Sequence, residues 1–294
     1  MKAAVALVSA RAARALDEDL PPLLAALHER GVRAEVADWD DAQVEWAQFD
    51  VALLRSTWDY TERLPEFLVW VAGTATRTRL VNRESVVRWN ADKHYLRELA
   101  MAGLPVVAST FAEAGADPAA VLAEFLAREA CAEFVVKPAV GAGSRDTRRH
   151  ARAAQPAALS HLRQLLDAGR CVLLQPYLPA VDTSGETALI YIDGRFSHAI
   201  RKGALLPPGA PATRALFAPE AISARAPERD ELEVAQRVLA ALPFETLTYA
   251  RVDLIRDEAY APRLLELELI EPSLFFAHAP QAAQRLAAAT LALL

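Results

Sequence analysis

Apolar runs of strand length alternate with amphipathic stretches of helix length along the first ninety residues. AAVALVSA (3–10) is an almost unbroken apolar run, the pattern of a strand buried on both faces. ALDEDLPPLLAALHER (15–30) becomes helical in its later part, and Gly31 stands where a helix ends through a left-handed residue. VRAEVADW (32–39) and VALLRS (51–56) read as two further strands. Strand, helix, strand in this order predicts a parallel α/β sheet. The first strand-to-helix turn holds Ser9, Ala10 and Arg11 and lacks the glycines that a dinucleotide pyrophosphate needs, which disfavours a dehydrogenase.

The pattern then changes. ADKHYLRELAMA (91–102) reads as a helix carrying Lys93, capped by Asn90 and ended by Gly103. DPAAVLAEFLARE (117–129) and AALSHLRQLLDAG (157–169) are amphipathic helices, and AEFVVKPAV (132–140) and CVLLQPYL (171–178) are strands. TALIYIDGRFSHAIRK (187–202) is a hairpin with Asp193-Gly194 as its tight turn. Residues 202–230 are rich in Pro and Gly, the composition of a lid or binding loop.

ARVDLIRDEAYAPRLLELELI (250–270) is a second hairpin, with turn chemistry in RDEAYAP. One arm carries Asp253, the other Glu266 and Glu268. Side chains at i and i+2 share a face roughly 7 Å apart. The two glutamates therefore point one way, and Leu265, Leu267 and Leu269 the other. Like charges side by side repel. Either a solvated sheet face or a divalent cation can offset that repulsion, and these residues alone leave both open.

With 294 residues, 53% of them hydrophobic, the chain can fill the cores of two or three subdomains. The net charge of −6 comes with both signs interspersed, and the absence of a basic run argues against a nucleic-acid partner. Cys131 and Cys171 lie in apolar runs, as buried reduced thiols in a cytoplasmic protein do. No charge-free apolar segment reaches about 18 residues, so no membrane span is expected. The last helix (QAAQRLAAATLALL) is expected to pack against the core or against a second copy in a homodimer. The six histidines show no metal-ligand spacing, and His198 alone is singled out as lying near a site.

Three stretches carry candidate chemistry. Arg55, Ser56, Thr57, Trp58, Asp59 and Tyr60 follow a strand at the end where open α/β sheets bind ligands. They form either a small-molecule subsite or a packed Trp with a capping hydroxyl. VVKPAVGAGSRDT (135–147) brings Lys137 out of a strand into Gly141, Ala142, Gly143 and Ser144. Such a loop lets backbone N–H groups approach phosphate, yet GAG is also an ordinary turn. LLQPYLP (173–179) offers a strand edge at Gln175, Tyr177 and Leu178 that suits adenine, and Glu186 follows as a ribose acceptor or a surface carboxylate.

The ordered set of Lys93, Lys137 with its glycine loop, QPYL, Glu186, Asp253 and the Glu266/Glu268 pair resembles the ATP-grasp superfamily. That superfamily includes glutathione synthetase, D-alanine–D-alanine ligase and the ribosomal S6 glutamate ligase. The resemblance covers nearly the whole chain. It implies a parallel α/β domain (1–90), a central α+β subdomain with the glycine loop (91–178) and a C-terminal α+β subdomain with the metal site (179–294). It implies ATP held by Lys93, Lys137, Gly141 to Thr147, Gln175, Tyr177, Leu178 and Glu186, and Mg2+ held by Asp253, Glu266 and Glu268. Glutathione synthetase-like members often have Asn where Glu268 stands. They also tend to have an Arg where Ala188 stands, which leaves Arg201, Lys202 or Arg251 to supply that charge. RSTWDY (55–60), VVRWNADKHYL (86–96), SHAIRKG (197–203) and LELELIEPSLFF (265–276) look like the group containing the O-ureido-D-serine cyclo-ligase.

The resemblance implies an ATP-dependent, ADP-forming ligase acting on a small amino-acid-like substrate through an acyl phosphate. A nitrogen of the same molecule, or of a second substrate, then attacks. Arg251 shares a strand face with Asp253, and Glu271 and Ser273 are expected on the substrate side opposite Trp58, Asp59 and Tyr60, with Asp59 holding an ammonium. Phosphoryl transfer without ligation and a non-catalytic nucleotide-binding module are the alternatives.

Overall fold

The computed structural model describes residues 3–294 as three sheets with helices packed on them. The first sheet contains β1 (Ala4–Ser9), β2 (Arg33–Asp38), β3 (Val51–Ser56) and β4 (Arg79–Val81), all parallel, in the order β2-β1-β3-β4. Every residue of β1 and β3 is buried, because helices cover both faces of the sheet. The helix Leu20–Glu29 buries Leu20, Leu23, Ala26 and Leu27 on one side, at i, i+3, i+6 and i+7.

The second sheet is antiparallel. It holds β5 (Thr110–Ala112), β6 (Glu133–Pro138), β7 (Arg148–Ala151) and β8 (Val172–Pro176) in the order β5-β8-β6-β7. The helices Pro118–Arg128 and Gln155–Asp167 close one face over Phe125, Phe134, Leu162 and Leu174. The third sheet, also antiparallel, holds β9 (Glu186–Ile192), β10 (Arg195–Lys202), β11 (Ile222–Arg225), β12 (Tyr249–Arg256) and β13 (Pro262–Glu268) in the order β11-β10-β9-β12-β13. Asp193 (φ 51°) and Gly194 (φ 69°) both adopt left-handed backbone between β9 and β10, the geometry of a tight hairpin turn.

One face of the third sheet packs under the helix Arg229–Ala240 through Leu189, Val252, Leu264 and Leu267. The other face meets the first sheet at one end, where Ile190, Ile192 and Tyr249 join Leu7, Leu53 and Val81. The Tyr249 hydroxyl lies within hydrogen-bond distance of the carbonyls of Leu54, Val81 and Ile270, and Asn82 donates to those of Tyr249 and Leu269. The last helix, Gln281–Leu291, packs on Leu20–Glu29 inside the same core. Among the described residues no helix is long and apolar enough to cross a membrane.

Several elements depart from the sequence reading. Asn90 does not cap a helix. It ends the helix Glu84–Asn90, and its amide donates to Leu267 O and accepts from Leu269 N, both at 2.8 Å. Lys93 therefore sits in the turn before the helix Tyr95–Met101, tied to β13 rather than borne on a helix. The strands β4, β5 and β7 are too short for periodicity to declare, and the 202–230 loop contains β11. Cys131 and Cys171 are half-buried rather than buried.

Candidate active site

Beside the contact with the first sheet, the third sheet borders a cavity of about 380 Å³ that is also lined by β6, β8, the glycine loop and Asp17, Asp19 and Trp58 of the first unit. Asp253 on β12 and Glu266 on β13 are direct register partners, and Arg251 faces Glu268. A bulge follows Asp253: Leu254 pairs with Leu264, so β13 carries one extra residue. Leu267 and Leu269 are buried behind the sheet as expected. Leu265 is not; the bulge turns it to the cavity side beside Glu266.

The carboxylates alternate with cations. Lys93 Nζ lies 2.9 Å from Glu266, and Lys202 Nζ lies 2.6 Å from Glu186 and 2.7 Å from Asp253. Arg251 reaches Asp253 at 2.9 Å and also binds Glu268. Burial works to raise the Asp253 pKa, but the Arg251 and Lys202 charges outweigh it and hold the group well below the usual carboxylate range. Glu186 and Glu268 behave oppositely: burial pushes each up to about 7 despite a neighbouring cation. The concentration of three hard oxygen donors on two paired strands suits a hard divalent cation. The lysine and arginine partners satisfy the same oxygens.

Lys137 lies on β6 and is buried, and its pKa is lowered, first by burial. Among the described residues no carboxylate oxygen comes within 4.0 Å of its ammonium, whereas Lys93 has both Glu266 and the Gly141 carbonyl, the latter at 2.6 Å. Gly141, Ala142, Gly143 and Ser144 line the cavity with Arg145 and Thr147. The loop is strapped to the long Pro/Gly segment: Asp146 N donates to Thr213 O at 3.0 Å and Ala218 N to Gly143 O at 2.9 Å. Gly143 has φ +59°, and a Cβ there would stand 2.3 Å from Leu216 O and 2.6 Å from Phe217 Cα. Gly143→Ala is expected to part these two segments and slow turnover by about tenfold to a hundredfold through loss of alignment. Steady-state rates measured together with limited proteolysis of residues 202–230 check this, the variant being cut faster.

Gln175, Tyr177 and Leu178 also line the cavity. Gln175 is fixed by Ser109 Oγ at 3.0 Å, and the Tyr177 ring is covered by the Arg149 guanidinium at 3.5 Å. Of the three cations proposed to replace the family arginine, Lys202 and Arg251 face the cavity. Arg201 does not. Neighbours on a strand point to opposite faces, and its guanidinium donates to the carbonyls of Ser184 and Thr183.

The RSTWDY stretch needs the largest correction. Only Trp58 reaches the cavity; its indole donates to Glu271 O at 3.1 Å and meets Phe217 edge-on at 5.6 Å. Arg55 is buried and donates to Pro272 O at 2.6 Å, Ser56 pairs with Ser9 at 2.8 Å, and Thr57 is buried. Asp59 accepts from the Trp39 indole at 2.8 Å and from Arg63, so its carboxylate is already engaged. Tyr60 is buried in the aromatic core, stacked on Phe67. These residues hold the cavity wall rather than forming it. His198 supports from behind, 2.8 Å from Leu274 O.

Glu271 and Ser273 do line the cavity, joined by Asp17, Asp19 and His278, which the sequence reading missed. Asp19 accepts from the backbone N–H groups of Leu274, Phe275 and Phe276 at 2.6, 3.0 and 2.8 Å and so shapes the chain after β13. No local signal marks this, because its partners lie some 255 residues away.

Glu271 is buried, and its pKa is pushed up to about 8 by burial and then by the Glu268 charge. Its folded-state value lies above the ordinary 4.5, so between about 4.5 and 8 the folded chain holds a proton the unfolded chain has released. That stability is present below the lower value and is lost as pH rises through the upper one, by at most about 1.4 kcal/mol per pH unit. Glu271→Gln is expected to flatten this decline. Melting of the nucleotide-free protein in EDTA at pH 6 and pH 8.5 checks it: the wild-type midpoint drops more between the two than the variant's.

Two α+β units facing each other across a cavity of lysines, a glycine loop and paired carboxylates, behind a parallel α/β unit, define an ATP-grasp ligase. A family described as the D-cycloserine synthetase DcsG N-terminal domain matches residues 5–82. The cycloserine biosynthesis protein DcsG of Streptomyces lavendulae is 40% identical over 294 residues, covering 97% of each chain. The crystal structure of D-cycloserine synthetase DcsG superimposes with a TM-score of 0.93 at 39% identity, covering 99% of this chain and 100% of that one. The ATP-grasp ligase PsnB complexed with its minimal precursor, Mg and ADP shares the fold at a TM-score of 0.63 and 19% identity, over 98% of this chain and 97% of that one. The chain belongs to the DcsG family of ATP-grasp enzymes and is an ATP-dependent ligase.

Proposed function

We propose that this chain closes O-ureido-D-serine into D-cycloserine, with release of CO2 and NH3 from the ureido group and conversion of ATP to ADP and phosphate. The observation that carries this reading is the juxtaposition of Asp253, Glu266 and Glu268 with Lys93, Lys137 and Lys202 in one cavity, within a chain that matches a D-cycloserine synthetase over nearly its whole length. The working division is residues 1–90 for the substrate domain, 91–178 for the central subdomain and 179–294 for the C-terminal subdomain.

The chemistry follows from the charges. A substrate carboxylate attacking the γ-phosphate brings two anions together. Lys93 and Lys137 bind the phosphates, the glycine loop covers them, and Gln175, Tyr177 and Leu178 receive the adenine with Glu186 at the ribose. Asp253, Glu266 and Glu268 fit Mg2+, which when bound neutralises phosphate oxygens. Arg251 and Lys202 supply the positive charge that other members take from an arginine at the position of Ala188. Trp58, Glu271 and Ser273 hold the amino-acid end. Gly143 against Leu216 and Phe217 excludes water, which protects the acyl phosphate from hydrolysis. The nitrogen bonded to the side-chain oxygen of the same molecule then attacks the acyl carbon, phosphate leaves, and a five-membered ring closes; water then cleaves the carbamoyl group still carried by that nitrogen, which leaves as CO2 and NH3, and the ring nitrogen keeps a proton.

Incubation of the purified protein with Mg·ATP and O-ureido-D-serine tests this. Equal amounts of ADP and phosphate together with a cyclic product are expected, and the L-enantiomer is expected to react poorly. A product that keeps the phosphoryl group, or an intermolecular amide formed only when a second amine is added, contradicts it.

A further inference from the structure

His94, Glu113 and Cys171 are distant in sequence, and no spacing motif links them. The fold nevertheless brings one ligand atom from each within 4.8 Å of the other two. Ala112 of β5 pairs with Val172 of β8 at the end of their antiparallel ladder, and Glu113 and Cys171 are the residues next to that last pair. His94 stacks over Phe111 of β5 with ring centroids 4.1 Å apart. Its Nε2 lies 3.1 Å from Glu113 Oε1 and 3.9 Å from Cys171 Sγ. Ligands of a tetrahedral zinc-type ion, at about 2.0–2.3 Å from the metal, stand about 3.3–3.6 Å from one another. The corner is already close to that spacing.

The opposite edge of the imidazole is also arranged. Asp92 Oδ1 lies 2.6 Å from His94 Nδ1, which leaves Nε2 free to face Glu113 and Cys171. A carboxylate behind a ligating histidine orients the ring and raises its basicity. A thiol, an imidazole and a carboxylate are donors for a borderline ion such as Zn2+, whereas Mg2+ takes oxygen. From this geometry we infer that His94, Glu113 and Cys171 bind one Zn2+-class ion, with water in the fourth position. The site is separate from the carboxylates of the cavity, and Glu113 and Cys171 do not line that cavity.

The site also has a place in the fold. His94 directly follows Lys93. Lys93 N donates to Ala139 O at 3.0 Å, and Ala139 N donates to Cys171 O at 2.9 Å. A metal there clamps the turn that carries Lys93 to the sheet that carries Lys137.

Cobalt reports the ligands directly. Full-length protein is stripped with chelator, given excess Mg2+ to fill oxygen sites, and titrated with Co2+. One equivalent is expected to produce an intense near-ultraviolet thiolate-to-cobalt band, which one equivalent of Zn2+ then removes. C171S should abolish the band, while C131S should keep it. E113Q, at a side chain 65% exposed and so tolerant of change, should weaken Co2+ binding at least tenfold, and D92N by tenfold to a hundredfold. A wild-type protein without the band, a band that survives C171S, or an unchanged affinity in folded E113Q overturns the inference.

Discussion

Glu266→Gln is expected to slow ligation by about a thousandfold while leaving the fold intact. Glu266 is the register partner of Asp253 and keeps 24% of its side chain exposed, so a neutral residue of the same shape disturbs little packing. What it loses is charge. The carboxylate is opposed by Lys93 at 2.9 Å and by the Lys137 charge, and together these hold it ionised against the cost of burial. A thousandfold loss corresponds to about 4 kcal/mol of transition-state stabilisation, the scale of one removed electrostatic stabiliser in an enclosed site. The kcat of the variant at increasing Mg2+ separates two roles. If Glu266 holds the ion, added Mg2+ restores part of the rate. If it acts only by placing Lys93, Lys93→Met shows the same loss and Mg2+ changes nothing.

Lys137→Met is expected to weaken ATP binding by about a hundredfold without weakening the empty protein. Lys137 is a buried ammonium with another lysine nearby and, among the described residues, no ion-pair partner within 4.0 Å. Such a group costs stability unless an anion arrives. Methionine fills comparable space without the charge. The nucleotide-free variant should therefore melt at or above the wild-type temperature. At a fixed, saturating ATP concentration the stabilisation from bound nucleotide should shrink by about 2.7 kcal/mol, the equivalent of a hundredfold in affinity. A drop in the melting temperature of the empty variant, with ATP stabilisation unchanged, would give Lys137 a structural role instead.

The parts legible in the sequence were those with a long, regular signal. The hairpin of β12 and β13 has arms of eight and seven residues, and the alternation from Leu265 to Leu269 marks its charged face. The tight turn at Asp193-Gly194 has the residues its left-handed backbone requires. Leu265 departs from the alternation because it is itself the bulged residue, unpaired between Leu264 and Glu266, the partners of Leu254 and Asp253. RSTWDY was misread for a related reason. β3 is buried on both faces, so alternation says nothing about which of Arg55 to Tyr60 faces a ligand, and the turn Trp58–Glu62 directs only Trp58 inward. Asn90 looked like a cap because the sequence shows only its neighbours, while its partners on β13 lie about 177 residues away. The same limit hid Asp19 and the meeting of His94, Glu113 and Cys171.

Oxygen-18 in the substrate carboxylate gives the most direct test of the acyl phosphate on which the mechanism depends. During one turnover with Mg·ATP, the carboxylate oxygen that attacks the γ-phosphate leaves with it when nitrogen displaces phosphate. The account predicts one labelled oxygen in the inorganic phosphate released, with ADP as the other nucleotide product. Unlabelled phosphate, or AMP with labelled carboxylate oxygen in its own phosphate, would contradict it.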